Sequence, residues 1–156
     1  QMGAQRIIAM SRHADRQKLA REFGATDIVA ERGADGIARI MELTDGIGAE
    51  SVLECVGMAE SMEQAMGVCR PGGTIGYVGV PHGVSFDGQK LFFSQRRMLG
   101  GPAPVRRFLP DLMDRVLKGA IRPGKVFDLV LPIAQVAEGY RAMDERRAIK
   151  TLLRLD

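Results

Sequence analysis

The sequence predicts an α/β fold in which a parallel sheet is covered by helices. Short apolar runs alternate with amphipathic segments of about ten residues, the pattern of right-handed βαβ units. A chain of 156 residues is long enough for a core of ordinary size. Its 46% hydrophobic and 26% charged residues are typical of a globular domain. Neither a repeat nor a low-complexity stretch interrupts the pattern.

Each predicted element follows from its local pattern. The apolar runs predict strands at 6–11, 27–30, 51–56 and 74–80, and a further extended stretch within 90–100. The amphipathic runs predict helices at 13–23, 35–44, 60–69 and 105–118. Gly24, Asp45-Gly46 and Gly119 provide the helix ends. Pro71-Gly72-Gly73 predicts a sharp turn between the third helix and the fourth strand.

The chain changes character after Gly124. Residues 127–132 predict a strand, 134–146 a helix and 149–155 a final strand. These three elements either extend the sheet or belong to a second domain.

Composition and charge argue against several classes of protein. The net charge of +3 comes from basic residues spread among acidic ones, so we expect no nucleic-acid partner. Cys55 and Cys69 do not form a CxxC pair, and no metal-ligand spacing surrounds either, so we expect no metal site in this chain and reduced thiols. No apolar run predicts a membrane span or signal peptide, and a cytoplasmic protein is expected.

Ligands of open parallel sheets bind where the chain leaves the carboxyl ends of the strands. Four such points stand out: Ser11-Arg12-His13, Cys55-Val56-Gly57, Val78-Gly79-Val80-Pro81 and Leu99-Gly100-Gly101-Pro102. Glycines there allow a ligand or another segment to approach the backbone. The Cys55 side chain is interpreted as a small core hydrophobe, Glu54 as half-exposed, and His82 as a surface residue.

Several runs, in this order, resemble zinc-type medium-chain dehydrogenases: Phe23–Thr26, Leu53–Gly57, Arg70–Thr74, Gly79–Pro81 and Ile149–Leu153. The resemblance covers essentially the whole chain. It implies a Rossmann-like doubly wound parallel sheet that lacks its first strand and glycine-rich turn, because Gln1–Ala4 is similar to the end of the helix after that turn. Gly46-Ile47-Gly48 lacks a third glycine and precedes a strand, so it is rejected as a phosphate loop.

The resemblance also implies a domain organisation and partners. Residues 1–124 are expected to form an N-terminally truncated dinucleotide-binding domain, and 125–156 a segment returning towards an absent catalytic domain. Zinc is expected only in that absent domain, with a small alcohol or carbonyl compound as substrate. Val84–Leu99 resembles the family's dimer edge, so a homodimer or homotetramer is expected; the alternative is an edge covered by a local loop.

Ser11-Arg12 favours NADP over NAD as the cofactor. NAD enzymes place a carboxylate at this strand end to bind the ribose 2′-hydroxyl, and that carboxylate would repel a 2′-phosphate. A guanidinium binds a phosphate bidentately, and similar Ser-Arg pairs occur in NADP-dependent family members. His13 and Arg16 are expected to add donors. The alternative is that Ser11 only caps the helix and Arg12 is solvated.

Gly57 and Val80 are expected, by resemblance, to line the nicotinamide end. The same expected site includes Cys55, Val56, Gly79, Pro81, Gly100 and Gly101. The alternative at these positions is ordinary turn chemistry.

The leading hypothesis is therefore hydride transfer between NADP(H) and an alcohol, aldehyde or ketone, assisted by zinc in the intact protein, with this chain alone inactive. A methyltransferase using S-adenosylmethionine is an alternative, because such enzymes carry a similar Pro-Gly-Gly turn. No acidic residue follows the strand at Ser11 to hold that ribose. A non-catalytic nucleotide-binding or oligomerisation module is the third possibility.

Overall fold

The computed structural model describes residues 3–155, so the predicted helix end at Gln1 and Met2 lies outside the described residues. Strands and helices alternate, as predicted. In chain order the elements are β1 (Ile8–Met10), α1 (Ala14–Glu22), β2 (Asp27–Val29), α2 (Gly33–Leu43), β3 (Ala49–Glu54), α3 (Ala59–Val68), β4 (Cys69–Tyr77), α4 (Gly88–Ser94), β5 (Arg97–Gly100), α5 (Val105–Leu117), β6 (Leu129–Pro132), α6 (Val136–Asp144) and β7 (Thr151–Arg154).

The strand pairs are parallel, which confirms the predicted sheet type. β1 pairs with β2, β4 lies between β3 and β5, and β6 pairs with β7. A connection between neighbouring parallel strands must cross over the sheet, and a helix is the usual crossover. This is why α1 separates β1 from β2 and α3 separates β3 from β4.

The chain divides into two compact units. The first comprises the residues up to Arg12 together with Thr26–Ala103, and it contains β1 to β5 with α2, α3 and α4. The second comprises His13–Ala25 and the residues from Pro104 onward, and it contains α1, α5, β6, α6 and β7. The division at residues 124 and 125 into a dinucleotide-binding domain and a returning segment stays a prediction.

The core of the first unit consists of two clusters. Met62, Ala65 and Met66 of α3 pack against Cys69 and Ile75 of β4, with Val52 and Met98 at the margin. Val52, Ile75 and Met98 occupy the same register across β3, β4 and β5, so their side chains project from one face of the sheet.

The second cluster joins the two sheets of the first unit. Val29 of β2, Ile40 of α2 and Val68 of α3 are its buried members, and residues of β1 and β3 pack at its margin. The opposite face of the three-stranded sheet is open: Leu53 is 81% exposed and Leu99 is 65% exposed.

Residues 69–80 differ from the prediction. Pro71-Gly72-Gly73 does not form a turn before the strand, because β4 already begins at Cys69, directly after α3. Ala49 pairs with Cys69 and Ser51 with Thr74, so a step of two residues on β3 spans five on β4. The three residues therefore form a bulge within the strand. β4 ends at Tyr77, because the backbone of the next residues turns towards the segment after β3.

The stretch at 90–100 is also more structured than expected. It begins in helix α4, which Asp87 caps by accepting a hydrogen bond from the backbone N–H of Lys90 at 3.0 Å. Strand β5 follows after Gln95. The remaining elements match the predicted types, with boundaries that shift by a few residues.

Polar contacts link several elements of the second unit. The Asp128 carboxylate accepts hydrogen bonds from the backbone N–H groups of Ile149 and Lys150, the residues that precede β7. The Lys125 ammonium pairs with Glu22 of α1 at 2.8 Å.

Over the described range, none of the side chains of α5 is buried. Within residues 3–155, no helix is both long and apolar enough to cross a membrane.

Candidate functional site

The candidate site forms where two loops of the first unit cross. One loop, Cys55–Met58, joins β3 to α3, and the other, Val78–Gly83, follows β4. The Val78 N–H donates to the Glu54 carbonyl at 2.9 Å, and the His82 N–H donates to the Gly57 carbonyl at 2.9 Å. Met58 and His82 form a further parallel bridge. Because β3 and β4 are parallel neighbours, both loops start from the carboxyl edge of the sheet.

Two glycines make this crossing possible. A methyl group at Gly57 would overlap the Val80 carbonyl oxygen and would lie 2.9 Å from the Val80 carbonyl carbon. A methyl group at Gly79 would overlap the Gly57 nitrogen and would lie 2.7 Å from the Val56 carbonyl carbon. Gly57 also has a φ of +84°, a conformation that side-chain-bearing residues rarely adopt. The backbones of the two loops are therefore in direct contact.

The Glu54 side chain binds the backbone of the first loop. Its side chain is 4% exposed, and its Oε1 accepts hydrogen bonds from Val56 N–H at 2.8 Å, Gly57 N–H at 3.0 Å and Ser61 Oγ–H at 2.7 Å. Its Oε2 lies 3.1 Å from the Gly57 nitrogen. Burial opposes ionisation of Glu54, but the hydrogen bonds from Gly57, Ser61 and Val56 outweigh it and lower its pKa below the ordinary value. Glu54 is thus an ionised, fully engaged carboxylate.

An open cleft of about 340 Å³ lies beside the crossing. Its lining residues are Tyr77, Val78, Gly79, Val80, Pro81, Gly101 and Pro102. The Tyr77 ring lies against the α-carbon of Gly100, so closely that a methyl group at Gly100 would overlap it. The lining is mainly apolar, and the glycines expose backbone groups, which suits a flat ring with a polar substituent.

The structure brings together most of the residues predicted for one end of the ligand. Gly79, Val80, Pro81 and Gly101 line the cleft. Gly57 contacts two of them through its backbone, and Gly100 lies beneath the ring of Tyr77. Val56 is exposed on the first loop. Whether these residues hold a ligand stays a prediction.

The residues predicted for the other end are divided between the two units. Ser11 and Arg12 follow β1 in the first unit, where the Ser11 N–H donates to the Val29 carbonyl at 3.1 Å. His13, and not Ser11, is the residue at the N-cap of α1. Arg12 is exposed and, within residues 3–155, forms no ion pair.

His13 and Arg16 belong to the second unit. Arg16 lies near Asp128. Desolvation opposes ionisation of Asp128, but the backbone N–H groups of Ile149 and Lys150 lower its pKa, and the Arg16 charge adds to this effect. Arg16 thus already has a carboxylate neighbour.

Two interpretations of side chains at the end of β3 were wrong. Cys55 is exposed and Glu54 is buried, the reverse of what the sequence indicated. The strand face that packs against α3 contains Glu54, and alternation then places its neighbour on the open side. Partial desolvation, and then the charge of Glu54, raise the pKa of the Cys55 thiol. That thiol is therefore protonated at neutral pH and is a poor nucleophile.

Sequence reasoning missed three residues of the cleft. Val78 and Pro102 lie within the runs noted at the strand ends, but their residue types alone do not indicate a binding role. Tyr77 was missed because an aromatic residue inside a predicted strand is usually a core residue. The sequence does contain one signal for it: a large residue near the end of the strand is followed closely by a glycine.

The residues that the structure describes do not fit a metal ion. Within the range that the structure describes, no three His, Cys, Asp or Glu side chains lie close enough to form a metal site. The glycine crossing and its cleft do fit a nicotinamide cofactor, because the site combines close backbone approach with an apolar surface.

Known proteins resemble this chain in sequence. A family model described as zinc-binding dehydrogenase matches residues 1–118. The chain belongs to the zinc-binding dehydrogenase family. Among curated family members, a zinc-type alcohol dehydrogenase B of Aspergillus flavus is 30% identical over 150 residues, which are 95% of this chain and 35% of that protein. A probable zinc-binding alcohol dehydrogenase of Mycobacterium tuberculosis is 34% identical over 142 residues, 88% of this chain and 35% of that protein.

The fold of this zinc-binding dehydrogenase chain agrees with solved structures. An alcohol dehydrogenase from Thermus sp. ATN1 superimposes with a TM-score of 0.88 at 28% identity, covering 97% of this chain and 45% of that one. A structure described as an NAD-dependent alcohol dehydrogenase gives a TM-score of 0.85, also at 28% identity, over 97% of this chain and 44% of that one. The chain therefore spans less than half the length of these proteins, and the predicted Rossmann-like class is confirmed.

Proposed function

We propose that this chain binds NADP(H) as the cofactor-binding part of an oxidoreductase that acts on an alcohol, aldehyde or ketone. The observation that supports this proposal most directly is the backbone contact of Gly57 with Gly79 and Val80 beside an apolar cleft. Membership of the zinc-binding dehydrogenase family supports this hypothesis over the methyltransferase. NADP(H) supplies or accepts a hydride when bound. The residues of this chain bind it, orient its ring and exclude water from one side.

The nicotinamide end is assigned to the crossing and its cleft. Val80, Pro81 and Gly101 provide an apolar wall, and backbone groups exposed at Gly57 and Gly79 provide hydrogen-bond partners for the carboxamide. Cys55 and Val56 lie on the loop at the rim of this site. Gly100 packs against the ring of Tyr77, which lines the cleft.

The 2′-phosphate is assigned to Ser11 and Arg12. Arg12 is exposed and has no carboxylate partner within residues 3–155, so its guanidinium is available to an anion. His13 remains a candidate donor, whereas Arg16 contributes less because of its proximity to Asp128. One similar structure is described as NAD-dependent, so the likeness in fold does not distinguish NADP from NAD. The preference for NADP is therefore inferred from Ser11 and Arg12 of this chain.

The substitution Arg12→Glu in the intact protein tests this assignment. We expect the ratio of kcat/KM with NADPH to kcat/KM with NADH to fall by at least about tenfold, which corresponds to about 1.4 kcal/mol. The reason is that a carboxylate repels the 2′-phosphate and accepts a hydrogen bond from a ribose hydroxyl instead. Arg21→Glu is the matched control, because Arg21 is an exposed arginine of α1. An unchanged ratio in Arg12→Glu would remove the Arg12 assignment.

The remaining features of the intact protein are also proposals. We propose that 1–124 act as the dinucleotide-binding part and that 125–156 return towards a catalytic domain, which would hold the zinc and the small-molecule substrate. A homodimer or homotetramer is expected through the edge at Val84–Leu99, where β5 has one unpaired side among the described strands. Cytoplasmic localisation stays a prediction.

A further inference from the structure

Glu54 makes contacts that the family membership alone does not explain. It is a buried carboxylate beside a largely apolar core, and it accepts hydrogen bonds from donors of a single short segment. Burying an ionised carboxylate is costly, so the hydrogen bonds to Val56, Gly57 and Ser61 must offset that cost. All three donors belong to the Cys55–Met58 loop and the first turn of α3.

This loop forms one side of the crossing. Gly57, which donates to the Glu54 carboxylate, is in backbone contact with Gly79 and Val80 on the cleft-lining loop. The Glu54 main chain accepts a hydrogen bond from Val78, which also lines the cleft. One residue thus restrains the first loop through its side chain and the second loop through its carbonyl oxygen.

We propose that Glu54 is a positioning residue that fixes the crossing of the two loops and thereby orients the nicotinamide end of the cofactor. This proposal rests on the function proposed above. The direction of its pKa shift is consistent with an ionised carboxylate in this position. Glu54 does not line the cleft itself, so it acts through Gly57 and the loop rather than by contact with the cofactor.

The geometry requires a carboxylate rather than an amide. In Glu54→Gln the amide oxygen can still accept hydrogen bonds at the Oε1 position. The amide nitrogen then takes the place of Oε2, which lies 3.1 Å from the Gly57 nitrogen. Two donors would face each other, and a buried donor left without an acceptor costs about 1–3 kcal/mol. The loop is expected to shift to relieve this conflict, and the crossing moves with it.

The experiment measures both ends of the cofactor separately in the intact protein. Calorimetry with NADPH reports the whole cofactor, and adenosine 2′,5′-bisphosphate reports the phosphate end alone. The emission spectrum of bound NADPH reports the environment of its dihydronicotinamide ring. For Glu54→Gln we expect about tenfold weaker NADPH binding, as loss of one buried hydrogen bond predicts, a diminished emission change at saturation and unchanged binding of the bisphosphate.

Glu63→Gln is the matched control, because Glu63 is an exposed carboxylate on α3 and loses the same charge. It should behave as the wild type in all three measurements. If Glu54→Gln does not fold, Ser61→Ala decides, since it removes one of the three donors to the carboxylate and leaves the carboxylate in place. The same hydroxyl also contacts the Met58 backbone at the end of this loop. A weaker NADPH complex with unchanged bisphosphate binding in Ser61→Ala supports the proposal, and wild-type values for both ligands overturn it.

The remaining outcomes separate this proposal from the proposed function. Wild-type NADPH affinity and emission in Glu54→Gln overturn the role of Glu54 alone. Equal weakening of both ligands also overturns it, because the effect would then be general loss of structure. A wild-type protein that binds neither ligand refutes the proposed function, and the positioning role is refuted with it.

Discussion

At the scale of single residues, the crossing depends on Gly57 and Gly79, because neither has a side chain that would block the contact. We expect Gly57→Ala to lower the free energy of unfolding by more than the roughly 1–2 kcal/mol that a positive φ costs an alanine, because its methyl group also overlaps the Val80 carbonyl oxygen. Urea unfolding monitored by circular dichroism measures the change.

Two matched variants separate the causes at Gly57. Gly72 has a φ of +72° with open space around it, so Gly72→Ala should show the cost of the conformation alone. Gly79 lacks a positive φ but would overlap the Gly57 nitrogen, so Gly79→Ala should show the cost of the close approach alone. A Gly57→Ala variant no less stable than Gly72→Ala would contradict the contact.

Glu54 predicts a specific pH dependence of stability. Burial opposes its ionisation, but hydrogen bonds lower its pKa below the ordinary value near 4.5. Its contribution is therefore present above that ordinary value and is lost as the pH falls through the lowered one. Between neutral and acidic pH, the free energy of unfolding should fall more steeply in the wild type than in Glu54→Gln. Parallel curves in urea titrations would exclude this contribution of Glu54.

At the scale of elements, a single carboxylate positions the start of β7. Asp128 accepts hydrogen bonds from Ile149 and Lys150 at 2.9 to 3.2 Å. We expect Asp128→Ala to destabilise the β6 and β7 pair by about 0.5–2 kcal/mol, because backbone donors lose a charged acceptor at an exposed site. Hydrogen exchange of amides in β7 should accelerate. Asp144→Ala, at an exposed carboxylate of α6, is the control, and equal exchange rates in the two variants would refute this role.

The elements themselves were largely predictable, because their signals are local. Helix α2 has a stripe with Ile37 and Ile40, and it ends where Asp45 and Gly46 adopt positive φ angles. The bulge at Pro71–Gly73 was not predictable, because these residues are typical of turns. Only their pairing with β3 makes them part of a strand.

At the scale of the whole molecule, the described residues do not supply the phosphate turn expected of this fold. Gly46-Ile47-Gly48 lies between α2 and β3 and does not open a helix, so within residues 3–155 it cannot serve as the phosphate turn of the proposed fold. We predict that the 156-residue chain alone shows no dehydrogenase activity and binds NADPH weakly or not at all. Calorimetry measures this affinity, and a micromolar dissociation constant would contradict the prediction.

The sequence by itself determined the type of most elements, the parallel pairing, the family, and three of the four segments at strand ends that meet beside the cleft. These follow from periodicity and from short motifs, which depend on residues close in the chain. Only the tertiary structure decided that Glu54 is buried and Cys55 exposed, that Gly57 contacts Gly79 and Val80, and that Tyr77 covers Gly100. Alternation along a strand gives two opposite faces but not which one will be covered, because that depends on helices and loops that are distant in sequence.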